Sequence, residues 1–152
     1  MTPFPVQGEY LRWEAVVALI RRSFAYMEPL LGHPAAAMDV TSERLAEAAA
    51  NGTAFLVEDA EVPIGCLFTR PSRDIADALY LGWLAVDVGH RGAGLARRLI
   101  DAAEAEARAK GYTLLTLDTG RALVDLITYF ERLGFVALPG DGAVVTFRKE
   151  II

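Results

Sequence analysis

The residues best suited to chemistry lie in one stretch, Asp87-Val88-Gly89-His90-Arg91-Gly92-Ala93-Gly94-Leu95-Ala96-Arg97-Arg98. It follows an apolar strand pattern and opens a helical one. Successive main-chain N–H groups at such a turn, with the unpaired N–H groups of a first helical turn, make a cradle for an anion. Glycines let the main chain approach phosphate oxygens closely, and Arg91, Arg97 and Arg98 add fixed positive charge. The predicted chemistry is the binding of a pyrophosphate. A Walker loop would end in Gly-Lys-Ser/Thr, whereas this turn continues Gly94-Leu95-Ala96. A dinucleotide fingerprint would place a third glycine where Arg97 stands, although Asp118 supplies an acidic residue about 20 positions on.

Other reactive side chains are few. Cys66 is the only cysteine and sits in the apolar run Ile64-Gly65-Cys66-Leu67-Phe68, which predicts a core thiol. A single cysteine excludes an internal disulfide and a multi-cysteine zinc site, and no metal is called for. The two histidines, His33 beside Pro34 and His90 in the glycine turn, read as loop residues.

The elements that must position the turn follow from periodicity. Apolar residues at helical spacing, Trp13, Val16, Val17, Ile20, Phe24 and Met27, predict a helix from about Glu9 to Met27, ended by Pro29. An irregular loop follows at Leu30-Leu31-Gly32-His33-Pro34. Thr41 or Ser42 can cap a second helix to about Ala50, with Asn51-Gly52 as a left-handed stop. Thr53–Glu58 and Val62–Thr69 read as a hairpin around Asp59-Ala60-Glu61. Ala78–Asp87 is nearly all apolar and predicts a central strand. Gly94–Lys110 reads as a helix with Leu95, Leu99 and Ala102 inward and Arg97–Asp101 and Glu104–Arg108 as charge pairs. Thr113–Asp118 is the next strand, parallel to Ala78–Asp87 because a helix crosses between them. A helix at Ala122–Leu133, closed by Gly134, and a hairpin of Phe135–Leu138 with Ala143–Lys149 complete the chain. The first eight residues allow a short edge strand. This order predicts a mixed α/β sheet with helices on both faces rather than a doubly wound nucleotide fold.

The 152 residues predict one domain, 1–152, with a hydrophobic fraction of 53%. Twenty acidic against fifteen basic residues give a net charge of −5. That argues against a nucleic-acid partner and leans towards a cationic partner. No leader pattern and no long apolar run are visible, so a reducing, cytoplasmic setting away from the membrane is expected. The last strand, Ala143–Lys149, could offer an edge for a homodimer.

Two segments resemble the GNAT superfamily of acyl-CoA-dependent N-acetyltransferases. The first is Leu84-Ala85-Val86 followed by Arg91-Gly92-Ala93-Gly94-Leu95-Ala96; the second is Tyr129-Phe130-Glu131-Arg132-Leu133-Gly134-Phe135. The resemblance covers nearly the whole chain. It implies a mostly antiparallel mixed sheet whose central parallel strands splay apart, with acetyl-CoA in the V between them. It further implies that the main chain of Leu84, Ala85 and Val86 pairs with the pantetheine arm. Arg91, Gly92, Ala93, Gly94, Leu95, Ala96 and Arg97 would hold the pyrophosphate, and the N–H near Leu84 would stabilise the developing oxyanion. The acceptor would be a primary amine on a small molecule or a protein, attacking directly after losing a proton to a base.

The chain departs from the family's pattern at its usual acid. The tyrosine expected four residues before Gly134 is Phe130, and the asparagine seven residues earlier is Leu123. Tyr129 is rotated from that position by about 100° on a helix. Candidates for the base are Asp118, Glu28, His33 and Asp39, with Tyr80 able to order a water. Phe24, Tyr26, Met27 and Met38 would line the acceptor pocket, which the family builds around its first loop. The missing tyrosine also motivates a second reading, a non-catalytic acyl-CoA-binding or sensing module. A nucleotide-binding domain of another kind is the third.

Overall fold

The computed structural model describes residues 1–32 and 36–151. His33 therefore lies outside the described residues. Seven strands form one sheet: β1 (Phe4–Val6), β2 (Thr53–Asp59), β3 (Val62–Pro71), β4 (Ala78–Val86), β5 (Leu114–Gly120), β6 (Val136–Ala137) and β7 (Val144–Glu150). Their order is β1-β2-β3-β4-β5-β7-β6. All neighbours are antiparallel except β4 and β5, the central pair, which run parallel as the crossover helix requires.

Helices α1 (Trp13–Ala25), α2 (Glu28–Leu31), α3 (Ser42–Asn51), α4 (Leu95–Ala109) and α5 (Val124–Arg132) complete the fold. Two cores result, one on each face of the sheet. Trp13, Val16 and Ile20 of α1 and Leu45 of α3 bury against Leu56, Cys66 and Phe68. On the opposite face Leu95, Leu99 and Ala103 of α4 and Phe130 of α5 bury against Leu79, Leu81, Leu115 and Phe147.

Several boundaries differ from expectation for identifiable reasons. Helix α1 starts at Trp13 rather than Glu9 because the residues before it are drawn to the end of β2. Both the Tyr10 hydroxyl and the Arg12 guanidinium donate to the Glu58 carboxylate, the latter at 2.9 Å. Pro29 does not simply end a helix; it stands in the first turn of α2, where a missing N–H costs nothing. The inward face of α4 runs through Ile100 and Ala103, with Ala102 at its margin.

Gly52 is not a left-handed stop. Its φ is −154°, and Asn51 still belongs to α3. The glycine serves a close approach instead, since a Cβ there would meet the Thr69 carbonyl oxygen at 2.1 Å. The Thr41 cap is present, its Oγ1 accepting from the Arg44 N–H at 3.2 Å. Gly111 and Gly134, with φ of +83° and +95°, close α4 and α5. Both charge pairs of α4 form, Arg97–Asp101 at 3.7 Å and Arg108–Glu104 at 3.2 Å.

Candidate functional site

The site begins where the central strands part. β4 and β5 pair only over Ala78–Leu114, Leu79–Leu115 and Tyr80–Thr116. Beyond Tyr80, β4 stays with β3 and β5 stays with β7, so a wedge opens between them. Main-chain groups along such inner edges lack strand partners, and main-chain polar groups need one. The wedge lies in a cleft of ≈ 1750 Å³ that reaches from the helix α3 wall to the turn before α4.

A bulge shapes the β4 edge of the wedge. Phe68 pairs with Gly82 and Cys66 with Ala85, so Leu67 of β3 faces two residues of β4, Trp83 and Leu84. The extra residue reverses which side chains face which layer. Leu79 and Leu81 join the α4 core, and so does Leu84, while Ala85 turns to the α1 core. Trp83, at the bulge, has φ +48°, a left-handed conformation rare for a bulky residue. Two contacts hold it there. Its carbonyl accepts from the Cys66 thiol at 3.2 Å, and its ring meets Phe68 edge-on at 5.2 Å. Cys66 is fully buried as expected, and burial pushes its thiol up to about 12.

The glycine turn sits at the open end of the wedge. Its first half is laced by charge. Asp87 Oδ2 faces His90 Nδ1 at 3.1 Å, Asp87 Oδ1 faces Arg22 at 3.4 Å, and His90 Nε2 faces Asp59 at 3.4 Å. The hydrogen bond with His90, followed by Arg22, holds the Asp87 carboxyl below its usual range. The same bond, followed by that to Asp59, raises His90 above its ordinary value. In the second half Gly92 and Gly94 have φ of +86° and +77° and nothing within 4 Å of where a Cβ would stand. The first turn of α4 has no side-chain cap, and Gly94, Leu95 and Ala96 face the cleft. Arg91 also lines it, its guanidinium 5.1 Å from the Tyr26 ring centroid. Of the expected anion ligands, Ala93 and Arg97 are not among the lining residues; Arg97 is exposed and paired with Asp101.

On the α1 side of the wedge, polar groups gather around Tyr80. Its hydroxyl donates to Asp118 Oδ2 at 3.3 Å, and Thr146 Oγ1 donates to Asp118 Oδ1 at 2.7 Å. Burial, then the Asp118 charge, raises the Tyr80 phenol. Asp118 thus bridges β4 and β7. Phe24, Tyr26 and Met27 line the cleft, joined by Leu31; Met38, Glu28 and Asp39 are not among the lining residues.

Tyr129 and Phe130 both line the cleft but differ in burial. Phe130 is buried among Phe135 and Phe147, at 6.0 and 6.1 Å between centroids. Tyr129 is half-buried at the cleft, its phenol raised by burial. Periodicity gave no sign of Arg44, Glu47, Arg70, Arg73 and Thr146 as site residues, yet Thr146 binds Asp118 and the other four line the cleft. Arg70 lies near the end of a strand antiparallel to the one holding Tyr80, and the register of the two strands sets them side by side.

Among the described residues no group of three His, Cys, Asp or Glu side chains could hold a metal ion. No helix among them is long and apolar enough to cross a membrane.

A splayed parallel pair, a bulged strand at its edge and an open glycine turn leading into a helix together define an acyltransferase-type fold. The chain belongs to the acetyltransferase (GNAT) family, whose model matches residues 13–135. Solved structures agree in fold. The PaiA N-acetyltransferase of Thermoplasma acidophilum, crystallised in complex with coenzyme A, is similar with a TM-score of 0.79 at 16% identity over 99% of both chains. The ribosomal-protein-S18-alanine N-acetyltransferase of Escherichia coli is similar with a TM-score of 0.73 at 18% identity, over 99% of this chain and 94% of that one. A GNAT-family acetyltransferase of Staphylococcus aureus Mu50 gives 0.73 at 11% identity, over 99% and 100%. No curated protein matches the chain by sequence.

Proposed function

We propose that this single domain transfers an acetyl group from acetyl-CoA to a primary amine by direct attack. The observation that carries the reading is the wedge between β4 and β5, open at the exposed Gly92–Gly94 turn and the uncapped start of α4. A diphosphate meets main-chain donors and Arg91 at the turn. A pantetheine arm, itself bearing amides, takes the place of the missing strand beside Leu84, Ala85 and Val86. Coenzyme A in the crystal of the Thermoplasma protein supports this choice of ligand. The buried free thiol of Cys66 accords with a reducing cytoplasm.

In the reaction the amine nitrogen attacks the thioester carbonyl carbon. The oxyanion that forms is met by the main-chain N–H near Leu84, at the bulge. The C–S bond then breaks, the amide forms, and coenzyme A leaves as a thiolate. Asp118, directly or through a water ordered by Tyr80, accepts the proton that the amine must lose. Tyr129 is the candidate to protonate the thiolate, since it lines the cleft beside Phe130 and carries the hydroxyl that Phe130 lacks. Phe24, Tyr26 and Met27 give the acceptor an apolar and aromatic flank.

Calorimetric titration with acetyl-CoA, for the wild type and for Gly94→Trp, tests the cofactor site. Binding by the wild type and loss in the variant is the expected result. A folded wild type that ignores acetyl-CoA would overturn the reading. Thiol release with a panel of amines then tests transfer. Because Phe130 is buried where the family's acid usually stands, a non-catalytic acyl-CoA-binding module is the second reading. Binding without turnover on any amine supports it, and turnover on any one removes it.

A further inference from the structure

Building on the acetyl-transfer reading, we propose that the acceptor carries an anionic group, a carboxylate or a phosphate, about one side-chain length from its amine. Arg44 of α3, Arg70 at the end of β3 and Arg73 of the β3–β4 loop line the same cleft as Tyr80 and Asp118. Arg12, Arg22, Arg97 and Arg108 each have a carboxylate partner. Among the described residues Arg44, Arg70 and Arg73 have none. The acidic groups lining that cleft are Glu47, Asp118 and Asp125, against five arginines, Arg44, Arg70, Arg73, Arg91 and Arg121. The cleft is therefore positive in a chain whose net charge is −5. The whole-chain charge leans towards a cationic acceptor, but the local field at the cleft is what an acceptor meets, and a polyamine would find like charge there.

The spacing gives the inference its content. Arg70 Nη1 donates to the Pro71 carbonyl at 3.2 Å, and the guanidinium lies 4.1 Å from the centroid of the Tyr80 ring. The Tyr80 hydroxyl, at the far end of that ring, reaches Asp118. A carboxylate suited to an amine and a guanidinium suited to an anion thus flank one tyrosine side chain. A small molecule bearing both charges can meet both groups at once. Planar guanidinium forks match the oxygens of a carboxylate or phosphate in a bidentate way, and the apolar face of Tyr80 can carry the methylenes between.

The test uses matched acceptors with the intact protein and acetyl-CoA, scored by thiol release. 4-Aminobutanoate and 5-aminopentanoate are compared with their carboxamides, and 3-aminopropylphosphonate with propylamine. The expected result is a kcat/KM about tenfold or more higher for an acid than for its neutral counterpart. The series that gains more identifies the anion. Arg73→Gln and Arg44→Gln, on exposed side chains, should raise KM for the acids by about fivefold to tenfold and leave the neutral amines unchanged. Equal or better turnover of the neutral amines overturns the inference and leaves acetyl transfer standing. So does a variant effect equal on both series. Failure of both acid series overturns it too, and calorimetry with acetyl-CoA then tells whether the cofactor reading falls as well.

Discussion

The Cys66 thiol donates to the Trp83 carbonyl across 3.2 Å, tying β3 to the one point where β4 leaves its regular ladder. A thiol is a weak donor, but this one is fully buried and has no water to prefer. With Phe68 packed against the Trp83 ring, it holds a bulky residue at a positive φ beside the wedge. Strain of this kind persists only where surroundings over-determine it.

That strain predicts an inverted order of substitutions. Trp83→Asn should be more stable than Trp83→Val by about 1 kcal/mol, although valine is apolar and suits strands. Asparagine tolerates the left-handed region and a β-branched residue does not. Urea denaturation of the two variants measures the difference; a more stable valine variant would contradict the role of the backbone.

The charges on the glycine turn predict a pH dependence. His90 is raised above its ordinary 6.5, so its contribution to stability is fully present below 6.5 and lost as pH rises through the raised value. Asp87 is lowered below 3.8, so its contribution is present above 3.8 and lost as pH falls through the lowered value. The Tm gap between wild type and His90→Gln should therefore be widest near about pH 5.5 and close towards about pH 9. A gap that does not change with pH would mean that the histidine acts through packing alone.

Around the wedge, three substitutions should separate roles. Asp118→Asn is expected to lower kcat by about a hundredfold or more with acetyl-CoA affinity unchanged. Tyr80→Phe should cost less, since it removes one hydrogen bond to that carboxylate. Tyr129→Phe should lower kcat most where the leaving thiolate needs a proton, so its effect should shrink with acyl donors whose thiols are more acidic. Activity in Asp118→Asn equal to wild type would move the base elsewhere in the cleft.

Cys66, with its thiol pushed up to about 12 and no exposed surface, should resist iodoacetamide in the native state at about pH 8 and react promptly in urea. Mass spectrometry reads the adduct. Rapid native labelling would mean that β3 opens locally at the bulge.

Much of the site could be read from residue types, because the demands there are local. Gly92 and Gly94 stand where positive φ is required, and strand, turn, helix and strand in succession force β4 and β5 parallel. What escaped was set by partners distant in sequence. The bulge at Trp83 is a matter of register between β3 and β4, and the apolar run Leu79–Val86 looks the same with or without it. Gly52 reads as a helix stop until Thr69 is seen against it. Arg70, at the edge of an apolar strand, looks like ordinary surface charge until the Tyr80 ring is found beneath it. Pro29 shows the same limit in reverse, a helix breaker that opens the next helix.

The three-rung seam between β4 and β5 makes the sheet two half-sheets joined at a hinge. On one side α4 and its core span the joint, with Leu79 and Leu81 from one half and Leu115 and Leu117 from the other packed together. On the opposite side α1 and α3 rest on the first half alone. The joint is therefore one-sided: the α4 core bridges the two halves on one face, and the α1 core leaves the other face of the seam unbridged. A molecule laid along both inner edges would act as a splint across that open side.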